Sequence, residues 1–150
     1  MNTQQPTDIP TVEEAIAHAV GFRLFTVLAF RKDGQEMERI HSSRPAEYPV
    51  GGRKQVGTDV AADWLRASLE EQVPFFGKSR ADVDRIFKDA ELIASLGCGS
   101  IINVPVIAAG KTVAVLNVLD AEGAYTDDDV DTVQTIARHG AQAIIAAAKE

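Results

Sequence analysis

Apolar residues recur along the chain with two periods, and the switches between them divide it into elements. Val12, Ala15, Ile16, Ala19 and Val20 stand at helical spacing and predict an amphipathic helix, with Thr11-Val-Glu-Glu14 as its capping box. Residues 24–30 are rich in β-formers, residues 32–35 read as a turn, and residues 36–42 as a more polar strand nearer a sheet edge. Residues 44–57 hold two prolines and three glycines and read as an ordered loop. Thr58 then predicts the cap of a helix over residues 59–71, with Ala61, Trp64, Leu65, Ser68 and Leu69 on its buried side. A short strand at residues 74–77 follows, then a helix capped at residues 79–82 that carries Val83, Ile86 and Phe87. A second short helix runs through Leu92, Ile93 and Leu96, and Gly97 suits the left-handed residue that closes it.

The densest pattern lies between Gly97 and Asp120. Residues 100–107 and 112–119 are two β-branched runs joined by Ala108-Ala109-Gly110-Lys111, the signature of an antiparallel hairpin. Both are almost wholly apolar where a half-solvated strand would alternate, so each is expected in mid-sheet with both faces covered. Ser100, Asn103 and Asn117 break the apolar pattern inside them. Alternation places Ile101, Asn103 and Pro105 on one side, Val104 and Val106 on the other, and Asn117 with Val115 and Leu119. A buried amide without partners costs roughly 1–3 kcal/mol, so each needs a protein group, a water or a ligand. Because the strands are neighbours, both amides can line one cavity; bonding to loop backbone is the alternative. Beyond the hairpin, Thr126-Asp-Asp-Asp129 caps a last helix reaching about residue 148, with acids at its positive end. Val130, Val133, Ala137, Gly140, Ile144 and Ala147 form its seam.

At 150 residues the chain reads as a polar leader over residues 1–10 and a single domain over residues 11–150. The formal net charge of −7 opposes nucleic acid and anionic lipid, and no apolar run is long enough to span a bilayer. Neither nucleic acid nor membrane is therefore expected as a partner. One cysteine forms no intramolecular disulfide, which fits a reducing compartment and a cytoplasmic location. No His, Cys or Asp spacing implies a metal, and no cofactor is called for. Asp127–Asp129 reads as helix capping. Gly97-Cys-Gly99 links helix to strand, the reverse of a dinucleotide fingerprint.

Three segments then carry a resemblance. Leu96-Gly-Cys-Gly-Ser-Ile-Ile-Asn-Val-Pro-Val106, Gly110-Lys-Thr-Val-Ala-Val-Leu116 and Tyr125-Thr-Asp-Asp-Asp-Val130 together resemble the GAF domain, over roughly residues 11–148. Ala114 stands where that family more often has glycine. The resemblance implies an α+β fold built on a central antiparallel β-sheet. The N- and C-terminal helices would cover one face, and a ligand pocket roofed by short helices and loops the other. It further implies a non-catalytic, sensory protein that binds a small organic molecule and forms a homodimer through its terminal helices.

Two alternatives stand beside this reading. A branch of small GAF proteins, the free methionine-R-sulfoxide reductases, makes Cys98 a candidate nucleophile. That chemistry calls for a second, resolving cysteine and for acids on the central hairpin, where this chain has Ile101, Asn117 and Leu119. The other alternative is an interaction module whose pocket is filled by its own side chains. On the leading reading the ligand meets Ile101, Asn103, Asn117 and Leu119, with Trp64, Tyr48 and Phe76 near the entrance. His41 is a candidate contact for an anionic ligand, and Arg44, Arg53 and Lys54 place positive charge in one loop.

Overall fold

A computed structural model describes residues 8–86 and 90–150. In chain order the elements begin with α1 (Ile9–Ala19), β1 (Leu24–Arg31), β2 (Glu36–Ser42), β3 (Arg53–Gln55) and α2 (Ala62–Leu65). The chain continues α2 as a π-helical segment (Arg66–Glu71), then forms β4 (Phe75–Gly77), α3 (Arg80–Ile86) and α4 (Ala90–Ser95). β5 (Ser100–Ala108), β6 (Lys111–Asp120), α5 (Asp127–His139) and α6 (Ala141–Ala148) complete it. The six strands make one sheet in the order β3-β2-β1-β6-β5-β4, with every pair antiparallel.

The two apolar runs are buried on both faces because two separate cores cover the sheet. On one face Val12, Ile16, Val133 and Ile144 of the terminal helices pack over Phe25, Val27, Ile102, Val104, Leu116 and Val118. On the other, Trp64, Val83, Ile86 and Ile93 of the middle helices pack over Leu24, Leu28, Ile101, Val115 and Leu119. Period-two alternation sorts the strand residues between these layers, as the hairpin pattern requires.

Several boundaries differ from the sequence expectation, each for a local reason. Asp8 caps α1: its side chain accepts from the Thr11 amide at 3.0 Å and the Thr11 hydroxyl at 2.6 Å. Thr11 is thus inside the helix, Pro10 sits in its first turn, and the Thr11–Glu14 box is not the start. The rest of the expected leader, residues 1–7, lies outside the described residues, as does Phe87. Part of the expected loop is a strand, since Lys54 pairs with Met37 and Arg53 with Glu38. The turn after β3 is closed by Asp59, which accepts from the Gln55 amide at 2.7 Å, and helix begins only at Ala62. Thr58 therefore caps nothing. The last helix is broken at Gly140 into α5 and α6. Its start matches expectation: Asp129 N–H donates to Thr126 Oγ1 at 3.4 Å, and Thr126 N–H donates to Asp129 Oδ2 at 2.9 Å.

Candidate functional site

A row of polar side chains crosses the middle of the sheet on the face under the middle helices. Asn103 of β5 stands directly opposite Asn117 of β6, and Asn117 directly opposite Thr26 of β1. All three are at most 3% exposed. Asn103 Nδ2 donates to Asn117 Oδ1, and Asn117 Nδ2 donates to Thr26 Oγ1 at 3.1 Å. The row stabilises itself, since each link supplies a partner to a group that burial has stripped of water. It is not closed at both ends. Asn103 Oδ1, fully buried, has no hydrogen-bond partner.

Beside Asn117 lies a residual cavity of about 10 Å³, the space of a single water. Leu24, Leu28, Ile93, Ile101 and Leu119 form its apolar wall; Thr26, Asn117, Tyr48 and Lys54 form the polar one. Tyr48 comes from the turn between β2 and β3 and is 5% exposed. The Arg39 guanidinium lies 3.5 Å from its ring centroid and donates to the Pro49 carbonyl at 2.8 Å. Gly52 permits that seat, because a Cβ there would stand 2.4 Å from Arg39 Nη1. Lys54 Nζ lies 5.9 Å from the same ring. Lys54, on the cavity wall, and Arg39, behind Tyr48, are only 7% and 5% exposed.

A family model for the GAF domain matches residues 11–145. The chain belongs to the GAF domain family. No curated protein matches its sequence. Among solved structures, it is similar to a GAF domain/HD domain protein from Geobacter sulfurreducens, with TM-score 0.73 and 10% identity over 95% of this chain and 92% of that one. It is also similar to the GAF domain of a two-component sensor histidine kinase from Bacillus halodurans, with TM-score 0.69, 17% identity, and coverage of 94% and 96%. A red/green cyanobacteriochrome in its red light-absorbing state superposes with TM-score 0.66, 12% identity, and coverage of 94% and 92%. At these identities the likeness is one of fold. No described helix of this GAF domain is long and apolar enough to cross a membrane.

The structure brings together five of the eight side chains singled out from the sequence. Ile101 pairs with Leu119, Asn103 with Asn117, and Tyr48 joins them in the GAF domain's second core. Trp64 is in that core too, fully buried and outside the lining of the cavity. Phe76 is on the wrong face. It pairs with Ile102 and packs in the terminal-helix core, leaving its neighbour Phe75, opposite Asn103, on the amide side. His41 is displaced in the same sense by a β-bulge. The β1–β2 register shifts between Val27 and Leu28, so Arg39 faces Leu28 while His41 faces Val27. His41 Nε2 instead lies 2.6 Å from Glu13 of α1, with its ring edge-on to Phe25.

Of the three loop cations, Arg44 pairs with Glu47 and Arg53 with Glu36 and Glu38, while Lys54 turns inward. Thr26, Arg39 and Phe75 were not singled out beforehand. Thr26 was legible, since it stands between Leu24 and Leu28 at strand spacing; the other two depend on register. Cys98 is 1% exposed, and burial, with Asp120 nearby, pushes its thiol up to about 11. It is therefore a thiol rather than a thiolate near neutral pH, unfit as an attacking nucleophile.

Proposed function

We propose that this GAF domain is a non-catalytic sensory module that binds a small organic molecule between its amide face and its middle helices. The observation carrying this reading is the buried row Thr26–Asn117–Asn103, which reaches a cavity at one end and holds an unmatched acceptor, Asn103 Oδ1, at the other. A sheet meant only to pack would carry aliphatic residues there, as its opposite face does. A ligand that bridges the cavity and the row gains hydrogen bonds in a site from which water is largely excluded. Ile101, Leu119 and Tyr48 line its apolar body.

Signalling follows from the layering. The same strands that present the amides on one face hold α1, α5 and α6 on the other, so a ligand that repacks the first face biases the second. We further propose that the protein works in the cytoplasm as a homodimer through these helices, with Ala141, Ile145 and Ala147 of α6 only partly buried in the monomer. Native mass spectrometry of freshly purified protein tests binding and stoichiometry together. The expected result is a dimer carrying a small-molecule adduct that is lost in Asn117→Leu.

The near-closed cavity favours a second reading, an interaction module whose pocket its own side chains fill. On that reading no small molecule alters the thermal midpoint, and the double Asn103→Leu/Asn117→Leu variant keeps its partner binding.

A further inference from the structure

We propose that Arg31 is a latch tying the C-terminal end of α6 to the β2–β3 edge of the sheet, so that a shift of that edge loosens the last turn of the helix. The latch is built from contacts on the terminal-helix face and stands whether or not the opposite face takes a ligand.

The need for it begins in the sequence of α6. Ala-Gln-Ala-Ile-Ile-Ala-Ala-Ala is 8 residues long, follows the break at Gly140, and has no side-chain cap at its start. Helices this short are marginal on their own, and the carbonyls of a last turn have no partners within the helix. Only Ile144 and Ala148 of α6 are buried. Arg31 supplies what the helix end lacks. Its Nη1 donates to the Ala148 carbonyl, and its Nη2 donates to the Glu150 carbonyl at 3.3 Å. A guanidinium there also meets the negative end of the helix dipole.

The sheet edge holds Arg31 in turn. Strand register places Arg31, Glu36, Glu38, Arg53 and Gln55 on the face that Ala29 shares with the terminal helices. Arg31 Nε donates to Glu38 Oε1 at 3.0 Å, and Arg53 Nη2 lies 3.5 Å from the same oxygen. Glu38 thus orients two guanidiniums, one from β1 and one from β3. Arg53 is fixed further by Glu36, which also accepts from Gln55 Nε2 at 2.7 Å. The planar fork of arginine serves Glu38 through Nε and the helix end through both terminal nitrogens; the single ammonium of a lysine cannot span them. The Arg31 and Glu38 side chains are 22% and 24% exposed, so salt screens their link less than a surface pair.

β3 makes this more than a helix cap. It is an edge strand of 3 residues, in which Lys54 lines the cavity while Arg53 faces the latch. A displacement of β3 on the cavity side therefore reaches α6 through Arg53, Glu38 and Arg31 in turn. The element has two arrangements: Arg31 on the carbonyls with the last turn closed, or Arg31 released with that turn frayed.

Hydrogen exchange of the full chain, followed residue by residue by NMR, tests the latch. In the wild type, the Arg31 Nε–H should exchange at least about tenfold more slowly than that of Arg80, whose side chain is 58% exposed. Equal rates would overturn the latch without any substitution. Arg31→Met should speed exchange of the Ala147, Ala148 and Lys149 amides by about tenfold, and Arg31→Lys should restore only part of the protection. Glu38→Gln and Arg53→Gln should each speed those amides by about threefold, and neither should add to Arg31→Met. Each change should exceed any change at Leu116 and Val118, whose mid-sheet amides report global opening. If Arg31→Met acts alone, or if the effects of the other two variants add to its own, Arg31 is a plain cap and the coupling to β3 is overturned.

Discussion

Asn103 and Asn117 depend on each other, and that dependence is measurable. Asn103→Leu leaves Asn117 Oδ1 buried without its donor, which should destabilise the domain by about 1–3 kcal/mol in urea unfolding. The double Asn103→Leu/Asn117→Leu variant should recover much of that loss, because the stranded polar partners go together. Cys98 should resist a soluble disulfide reagent in the native state and react only as the protein unfolds, because its thiol is buried and its ionisation pushed to about 11. Glu36 illustrates the opposite shift. Hydrogen bonds from the Gln55 side chain and from Arg53 hold its carboxyl below the ordinary 4.5. Its contribution is complete above that value and is lost as pH falls through the lowered one. The gap in urea midpoint between wild type and Glu36→Gln should accordingly narrow as the solution is acidified from neutral. At this scale the sequence revealed which residue types were out of place in an apolar run, hence the two amides. It did not reveal that Lys54 turns inward while Arg53 pairs outward, because neighbours on a strand differ only by register.

At the scale of elements, what was legible had a local cause. The Thr126–Asp129 cap, the left-handed Gly97 at +82° and the two central strands all follow from spacing within a few residues. What was not legible depended on contacts between elements. A bulge at the β1–β2 register carries His41 to the α1 side, where it meets Glu13; β4 joins β5 with Phe76, rather than Phe75, toward the terminal helices. The break between α5 and α6 has the same origin. A Cβ on Gly140 would stand 2.4 Å from Val12 Cγ2, so glycine there lets α1 cross the junction closely. Val12 is fully buried and β-branched, with little freedom to yield. Gly140→Ala should therefore cost about 1–3 kcal/mol by thermal or urea unfolding, although alanine is the better helix former. Gly140→Ala combined with Val12→Ala should restore part of the loss.

At the scale of the whole molecule, one sheet separates two cores of different composition. The buried centre of the terminal-helix core is apolar, with Arg31 and His41 of its strands bonded to Ala148 and Glu13 at the margin, whereas the middle-helix core carries a polar row and a water-sized cavity. This asymmetry, rather than any single motif, supports assigning ligand recognition to one face and coupling to the other. It was anticipated in outline from two asparagines on adjacent apolar strands, while the inward place of Lys54 needed β3, which the glycine- and proline-rich sequence concealed. The most direct test is a titration of the isotope-labelled protein with a protein-free small-molecule extract, following the side-chain amides of Asn103 and Asn117. The account predicts that these amides, with the methyls of Ile101 and Leu119, move together and saturate. Saturable changes confined to other surfaces, or none at all, would contradict it.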